Sequence, residues 1–280
     1  MIVDCHTHLW LPHELTDELA IEAGLIRGEP LDLSVTPEQH RAATAGVDKA
    51  IVFGLRAPLV GFLSENDTVA DYVKTDPAKY IGFAAINPAE AGALDELERA
   101  VADLGLRGLK MTPIYSGYHP HDERAWPIYA RAEKLGLPIL FHQGTTFPRK
   151  APLKYAHPEQ LEDIALRHPD LKMIIAHMGH PWENEAIALI RKQPNVFADI
   201  SALYYRPWQF YNMLRLAYEY GATGKLLFGT DYPIATFEDT VAGLREVVRC
   251  SREQWQVPEL PAELPDEILY RDTLGLLGLD

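Results

Sequence analysis

The chain opens with Met1-Ile2-Val3-Asp4-Cys5-His6-Thr7-His8, an apolar run that ends in His-x-His. Read as a buried strand, this run puts His6 and His8 on one face, because side chains two apart in a strand point the same way. Two neutral imidazoles side by side are half of a tetrahedral or five-coordinate metal site. In a chain with eleven histidines the pair alone is weak evidence. What decides is whether further ligand-type residues stand in equivalent places downstream. Ile-Leu-Phe-His142, Ile-Ile-Ala-His177 and Phe-Gly-Thr-Asp231 each close a short apolar run, and Lys110 closes another within Gly-Leu-Lys-Met-Thr-Pro.

The elements that must position these residues are read from the same runs. Strands are expected at 2–6, 49–53, 80–85, 108–111, 138–142, 172–177, 196–200 and 226–229. Their near-continuous hydrophobicity is that of parallel strands covered on both faces. Helices fill the gaps. Thr36-Pro37-Glu38-Gln39 supplies a cap with proline at the first helical position. The stretch 91–104 places Leu94, Leu97, Val101 and Leu104 on one face and stops at Gly105. Further helices are expected at 126–135, 159–167, 183–190, 208–220 and 237–250.

Strand then helix, repeated about eight times, predicts an α/β fold: one (β/α)8 TIM barrel spanning 1–280 as a single domain. A doubly wound open sheet is the alternative, but no Gly-x-Gly-x-x-Gly follows the first strand. The long loop after strand 1, roughly 9–36, is expected to hold a lid or short helices over the barrel mouth. A C-terminal helix at 266–277 is expected to pack on the outside of the barrel. In such a barrel the C-terminal ends of the strands carry the chemistry. His6, His8, His142, His177 and Asp231 would therefore share one rim.

Lys plus Arg is 26 and Asp plus Glu 40, a net charge of −14, which argues against a nucleic-acid partner or an anionic membrane surface. The hydrophobic fraction of 47% is that of a globular protein able to bury a large core. Cys5 and Cys250 suggest neither a disulfide framework nor a zinc knuckle. With no leader-like N-terminus and no apolar run of membrane-spanning length, a cytoplasmic, membrane-free enzyme of small molecules is the expectation.

The motifs Val3-Asp4-Cys5-His6-Thr7-His8, Phe141-His142-Gln143-Gly144, Ala176-His177-Met178-Gly179 and Phe228-Gly229-Thr230-Asp231-Tyr232-Pro233 together resemble the amidohydrolase superfamily. The likeness is to its amidohydrolase-related branch, which includes aminocarboxymuconate semialdehyde decarboxylase. It extends over nearly the whole chain. It implies that His6, His8, His142 and Asp231 ligate one divalent metal, commonly zinc and alternatively manganese. It also implies that His177 holds or deprotonates the metal-bound water, that Asp231 doubles as proton shuttle, and that the protein forms a homo-oligomer such as a dimer. Some decarboxylases of the branch carry Glu in place of the first histidine, where this chain keeps His6.

An open position on such an ion lowers the pKa of water from about 15.7 towards roughly 7. The leading expectation is therefore a metal-dependent hydrolase acting on a small carboxylated or carbonyl-bearing compound. The alternative is a non-oxidative decarboxylase, a carbon–carbon lyase with nearly the same parts. A catalytically silent barrel and a metal-independent lactonase are further alternatives. Lys110, which in binuclear relatives can be carboxylated to bridge two metals, is expected here in a substrate-binding or structural role. Arg56, Tyr115 and Trp182 are the other substrate-binding candidates. His119 and His121 are expected to belong to a solvated loop. The Gly221–Lys225 stretch lacks phosphate-loop spacing.

Overall fold

The computed structural model describes residues 1–27 and 32–280. Strands β1 (Val3–His8) and β2 (Lys49–Phe53) are followed by a small hairpin, β3 (Arg56–Ala57) with β4 (Phe62–Leu63). The barrel wall resumes with β5 (Tyr80–Gly82) and β6 (Ala84–Ala85), one strand interrupted at Phe83. It continues through β7 (Leu109–Met111), β8 (Ile139–Phe141), β9 (Met173–Ile175), β10 (Val196–Asp199) and β11 (Leu226–Leu227). All wall pairings are parallel. The ring closes where the backbone N–H of Cys5 donates to Phe228 O at 3.0 Å, that of Asp231 to His6 O at 2.8 Å, and that of His8 to Tyr232 O at 2.9 Å. The expected (β/α)8 barrel is thus present.

Twelve helices are described: α1 (Asp17–Arg27), α2 (Pro37–Ala43), α3 (Asn66–Val73), α4 (Ala93–Ala102), α5 (Pro113–Ser116), α6 (Trp126–Leu135), α7 (Glu162–Arg167), α8 (Glu183–Lys192), α9 (Pro207–Glu219), α10 (Phe237–Glu253), α11 (Leu264–Leu269) and α12 (Thr273–Leu277). Thr36 caps α2 as expected, its hydroxyl accepting from Gln39 N while the Gln39 side chain returns a bond to Thr36 N. Helix α3 went unpredicted. Its sequence, Asn-Asp-Thr-Val-Ala-Asp-Tyr-Val, carries β-branched and capping residues that do not favour a helix on propensity alone. Tertiary burial of Val69, Ala70 and Tyr72 forms it instead. No helix among the described residues is long and apolar enough to cross a membrane.

The C-terminal segment departs from expectation in two ways. It forms two short helices, α11 and α12, since Asp272 accepts from Gly275 N to start a new helix. And α12 does not lie on the outside. Leu274, Leu277 and Leu279 join Val3, Cys5, Ile51, Phe53, Phe83, Leu140, Ile174 and Leu227 in one buried cluster, the inward-facing residues of the barrel. The C-terminus therefore plugs the end of the barrel opposite the mouth. Strand side chains leave that end short of apolar cover, and three leucines fill it.

Over the mouth, the connection after β1 does contain the expected helical cover, α1, although residues 28–31 lie outside the described residues. Trp10, Leu19, Ala23 and Leu33 of this connection pack with Phe62 of the hairpin and with Ile114 and Tyr115 of α5. Two glycines let site-bearing backbones approach. A Cβ on Gly229 would stand 3.0 Å from that of His6. Gly144 has φ +139°, and a Cβ there would meet His180 O at 2.7 Å.

Beneath the rim, buried His40 of α2 ties the His-x-His strand to the helical layer. Thr7 Oγ1 donates to Ile51 O at 2.7 Å, so it can only accept from His40 Nε2, 2.8 Å away. His40 Nδ1 then accepts from the Tyr72 hydroxyl at 2.8 Å. The ring is neutral, and burial pushes its pKa from 6.5 down to about 3. The unfolded chain takes up this proton near pH 6.5 and the folded chain does not. Stability from this group is therefore complete above that pH and falls as pH drops towards 3, by roughly 1.4 kcal/mol per pH unit. In the chelated protein, His40→Gln should shrink the loss of unfolding free energy between pH 7 and pH 5 by about 2 kcal/mol. An unchanged pH dependence in denaturant titrations would refute the neutral strut.

Candidate active site

The rim brings together most of the residues that the sequence singles out. His6, at the end of β1, donates from Nδ1 to Asp199 Oδ2 at 2.8 Å. Its Nε2 faces Asp231 Oδ1 at 3.1 Å and Lys110 Nζ at 3.2 Å. His8 Nε2 lies 2.9 Å from the same Asp231 oxygen. His6, His8 and Asp231 thus offer three buried ligand atoms within 4.8 Å of one another. Two imidazole nitrogens and a carboxylate oxygen are a suitable donor set for a divalent ion. His177 Nε2 lies 3.9 Å from Asp231 Oδ2, and its ring is 5.0 Å from that of His6.

His142 is the outlier of the expected ligand set. Its ring stands 5.1 Å from that of His177, but it lies outside the three-atom cluster. Its Nε2 faces the Thr145 carbonyl at 3.3 Å, which leaves Nδ1 as the ring nitrogen free to take a ligand.

Two of these residues adopt backbone conformations that side-chain-bearing residues rarely take. His177 has φ 54° and Asp231 φ 64°, in the left-handed region whose cost the surrounding structure must offset. Asp231 is held there by its own N–H to His6 O. The neighbouring Thr230 gives two bonds to the buried Asp4 carboxylate, from N at 3.0 Å and from Oγ1 at 2.8 Å. His177 is held by its N–H to Asp199 Oδ1 at 2.9 Å.

The electrostatics follow from burial and close pairing. Burial opposes ionisation of Asp231, yet the His6 and His177 rings and the bonds from His6 and His8 hold its carboxyl well below the usual range. Burial likewise pushes the His8 imidazole down to about 3 and, with His177 and Lys110 nearby, pushes His142 well below its ordinary value. His8 and His142 are thus neutral beside an ionised carboxylate, the protonation states that metal ligands need. His6, against burial and the nearby Lys110, is shifted upwards by Asp199 and Asp231. Lys110, fully enclosed and 4.7 Å from the Phe53 ring centre, is pushed down to about 8 by burial, against the pull of Asp231 and Asp199.

The substrate-binding candidates divide. Tyr115 packs against His142 with ring centres 4.5 Å apart and the planes tilted by 59°. Lys110 sits beneath the cluster, against His6. Trp182 packs on His157 at 4.4 Å and borders the cluster of residues over the mouth. Arg56 is not a free anion anchor. Its guanidinium is paired with Glu65 and Glu90, both at 3.0 Å, in a separate groove with Asn66 and Asn87. His121 donates to the Gln160 carbonyl and belongs to the loop, as expected.

Three residues of the site were missed in sequence. Asp199 and Ser201 lie behind His6 and His177. Trp10 stacks on His8 at 4.0 Å. The signal for Asp199 was a carboxylate closing the apolar run Val-Phe-Ala-Asp. The signal for Trp10 was its place two residues beyond His8, in step with the strand's alternation.

A family model described as amidohydrolase matches residues 3–271. The chain belongs to the amidohydrolase family. A curated relative, 2-amino-3-carboxymuconate-6-semialdehyde decarboxylase of Dictyostelium discoideum, is 30% identical over 79 residues. That stretch is 28% of this chain and only 22% of the relative. Among solved structures, this amidohydrolase-family chain is similar in fold to an uncharacterised TIM-barrel protein of Bordetella bronchiseptica (TM-score 0.74, 22% identity, 99% of each chain). It is also similar to a probable 2-pyrone-4,6-dicarboxylic acid hydrolase of Acinetobacter baumannii solved with citric acid (0.69, 18%, 99% of each). A third is a dihydroxybenzoic acid decarboxylase of Polaromonas solved with manganese and 2-nitroresorcinol (0.65, 17%, 99% of this chain and 97% of that one).

Proposed function

We propose that this member of the amidohydrolase family is a metal-dependent, non-oxidative decarboxylase of a small unsaturated or aromatic carboxylic acid. The observation that carries the reading is the buried His6–His8–Asp231 cluster at the mouth of the barrel, flanked by Trp10 on His8 and Tyr115 on His142. Flat aromatic walls around a cation site suit a flat conjugated acid. The curated relative and the manganese-bearing structure are both decarboxylases, and they favour this chemistry over the hydrolysis that the motifs alone suggest.

His6, His8, His142 and Asp231 would hold one divalent ion, zinc or manganese, which when bound supplies a Lewis acid for a substrate oxygen. The residues of the chain do the rest. Breaking the carbon–carbon bond releases CO2 and leaves an electron pair on the carbon, which must take a proton. Asp231 and His177, 3.9 Å apart, are the groups placed to deliver it. Trp10 and the residues packed over the mouth keep competing water away.

A second reading, hydrolysis of a lactone or amide, is favoured by the same pair, since His177 Nε2 and Asp231 Oδ2, 3.9 Å apart, are close enough to bond one water lying to the side of the line between them. The likeness to the pyrone dicarboxylate hydrolase is consistent with it. Headspace CO2 from a panel of hydroxybenzoic and muconic-type acids separates the two. CO2 release that vanishes on chelation and returns with zinc or manganese is the expected result. Ring opening or amide cleavage without CO2 would replace this reading with hydrolysis.

A further inference from the structure

One buried carboxylate reaches both working histidines. Asp199 Oδ2 accepts from His6 Nδ1 at 2.8 Å. Its Oδ1 accepts from His177 N at 2.9 Å, from Ser201 N at 3.1 Å and from Ser201 Oγ at 2.5 Å. Ser201 has a single hydroxyl proton, and a carboxylate oxygen can only accept, so that proton goes to Asp199. Ser201 Oγ is then left to accept from His177 Nδ1, 2.8 Å away. The Ser201 carbonyl, 3.2 Å from the same nitrogen, is also an acceptor only. Both partners of His177 Nδ1 therefore require a hydrogen on it, and the lone pair falls on Nε2, the atom facing Asp231.

We propose that Asp199, acting directly on His6 and through Ser201 on His177, is a positioning residue that fixes both imidazoles in the Nδ1–H form. Each ring then turns its Nε2 lone pair into the site. At His6 that lone pair is the one the metal takes, so the inference rests on the metal reading given above. At His177 it is the one that accepts or returns a proton. The arrangement also decides between two sets of ligand-type residues that share His6. Besides His6, His8 and Asp231, the residues His6, His177 and Asp199 lie within ligand distance of one another. Asp199 is saturated by four protein donors, so it orients ligands and is not one itself.

Asparagine tests this sharply. In Asp199→Asn the oxygen is held by the three donors at the Oδ1 position, and the new amide N–H groups face His6 Nδ1. That nitrogen must then accept, which moves the His6 hydrogen to Nε2 and removes a ligand. Zinc affinity, measured by chelator competition, should fall about 10–100-fold. In Ser201→Ala zinc affinity should stay within about threefold while kcat falls roughly tenfold or more. The reason is that His6 Nδ1 keeps its 2.8 Å bond to Asp199 and loses only a longer 3.2 Å contact to Ser201 Oγ, whereas His177 Nδ1 loses its 2.8 Å partner. The unmodified protein gives a second reading that does not depend on any variant folding. Long-range 1H–15N correlation of the zinc-loaded protein should show protonated Nδ1 on both rings and metal-bound Nε2 on His6. Zinc bound with an Nε2–H on either ring, or Asp199→Asn holding zinc as tightly as the parent, would overturn the proposal. A protein that takes up no zinc would overturn it together with the metal reading.

Discussion

Asp231→Asn should leave a folded protein that binds metal poorly and turns over at least about 10³-fold more slowly than the parent. Two losses combine. The cluster loses its only anionic ligand, and the site loses a group able to carry a proton, worth by itself roughly 10²–10⁴ in rate. Asparagine is the informative substitution because Asp231 sits at φ 64°. Of the residues with a side chain, asparagine tolerates that conformation best, so the backbone strain that would confound an alanine is avoided. The thermal midpoint should stay close to that of the parent, and metal content and kcat should fall together. A variant that keeps its metal and its rate would show that Asp231 is a structural carboxylate tethering His6 and His8.

His177→Asn should separate binding from chemistry. The residue lies outside the His6–His8–Asp231 cluster, so metal content should remain near that of the parent. The rate should fall about 10²–10⁴-fold, the usual contribution of a positioned acid–base group. Asparagine again suits the φ of 54° at this position. Its side chain can also keep a bond to Ser201 Oγ, so loss of the proton-carrying ring nitrogen is the main change. Nearly full activity in this variant would remove His177 from the chemistry and leave it as a wall of the cavity. Read together, the two variants assign metal binding to one residue set and proton transfer to another.

Much of this was legible in the chain itself, for a physical reason. A parallel barrel buries each strand on both faces, so strands read as short apolar runs, and the first polar residue after each run lands on the rim. His6, His8, Lys110, His142, His177 and Asp231 were all found in this way, and five of the six converge. His142 is the exception. Position at a strand end sets which rim a side chain reaches, whereas the bond to Thr145 O, made after the strand, sets which ring nitrogen is offered. Arg56 failed for a related reason. Its place after β2 was read correctly, but its partners Glu65 and Glu90 come from later segments and no local pattern announces them. Asp199 was overlooked because a carboxylate closing an apolar run reads as a strand end, and its value lies in the donors that His6 and His177 bring from other strands, added to two from nearby Ser201. The C-terminal helix at 266–277 was expected on the outside of the barrel, because nothing local distinguishes a helix that covers the outer layer from one whose leucines close the bottom of the barrel.

Whether His6, His8 and Asp231 share one metal ion is tested by anomalous scattering from crystals of the metal-loaded protein, recorded on both sides of the metal's absorption edge. One peak per chain is expected at the barrel mouth, with zinc about 2.0–2.2 Å from His6 Nε2, His8 Nε2 and an Asp231 oxygen. A peak on the Nδ1 side of His6, against Asp199, or no peak at the mouth at all, would contradict it.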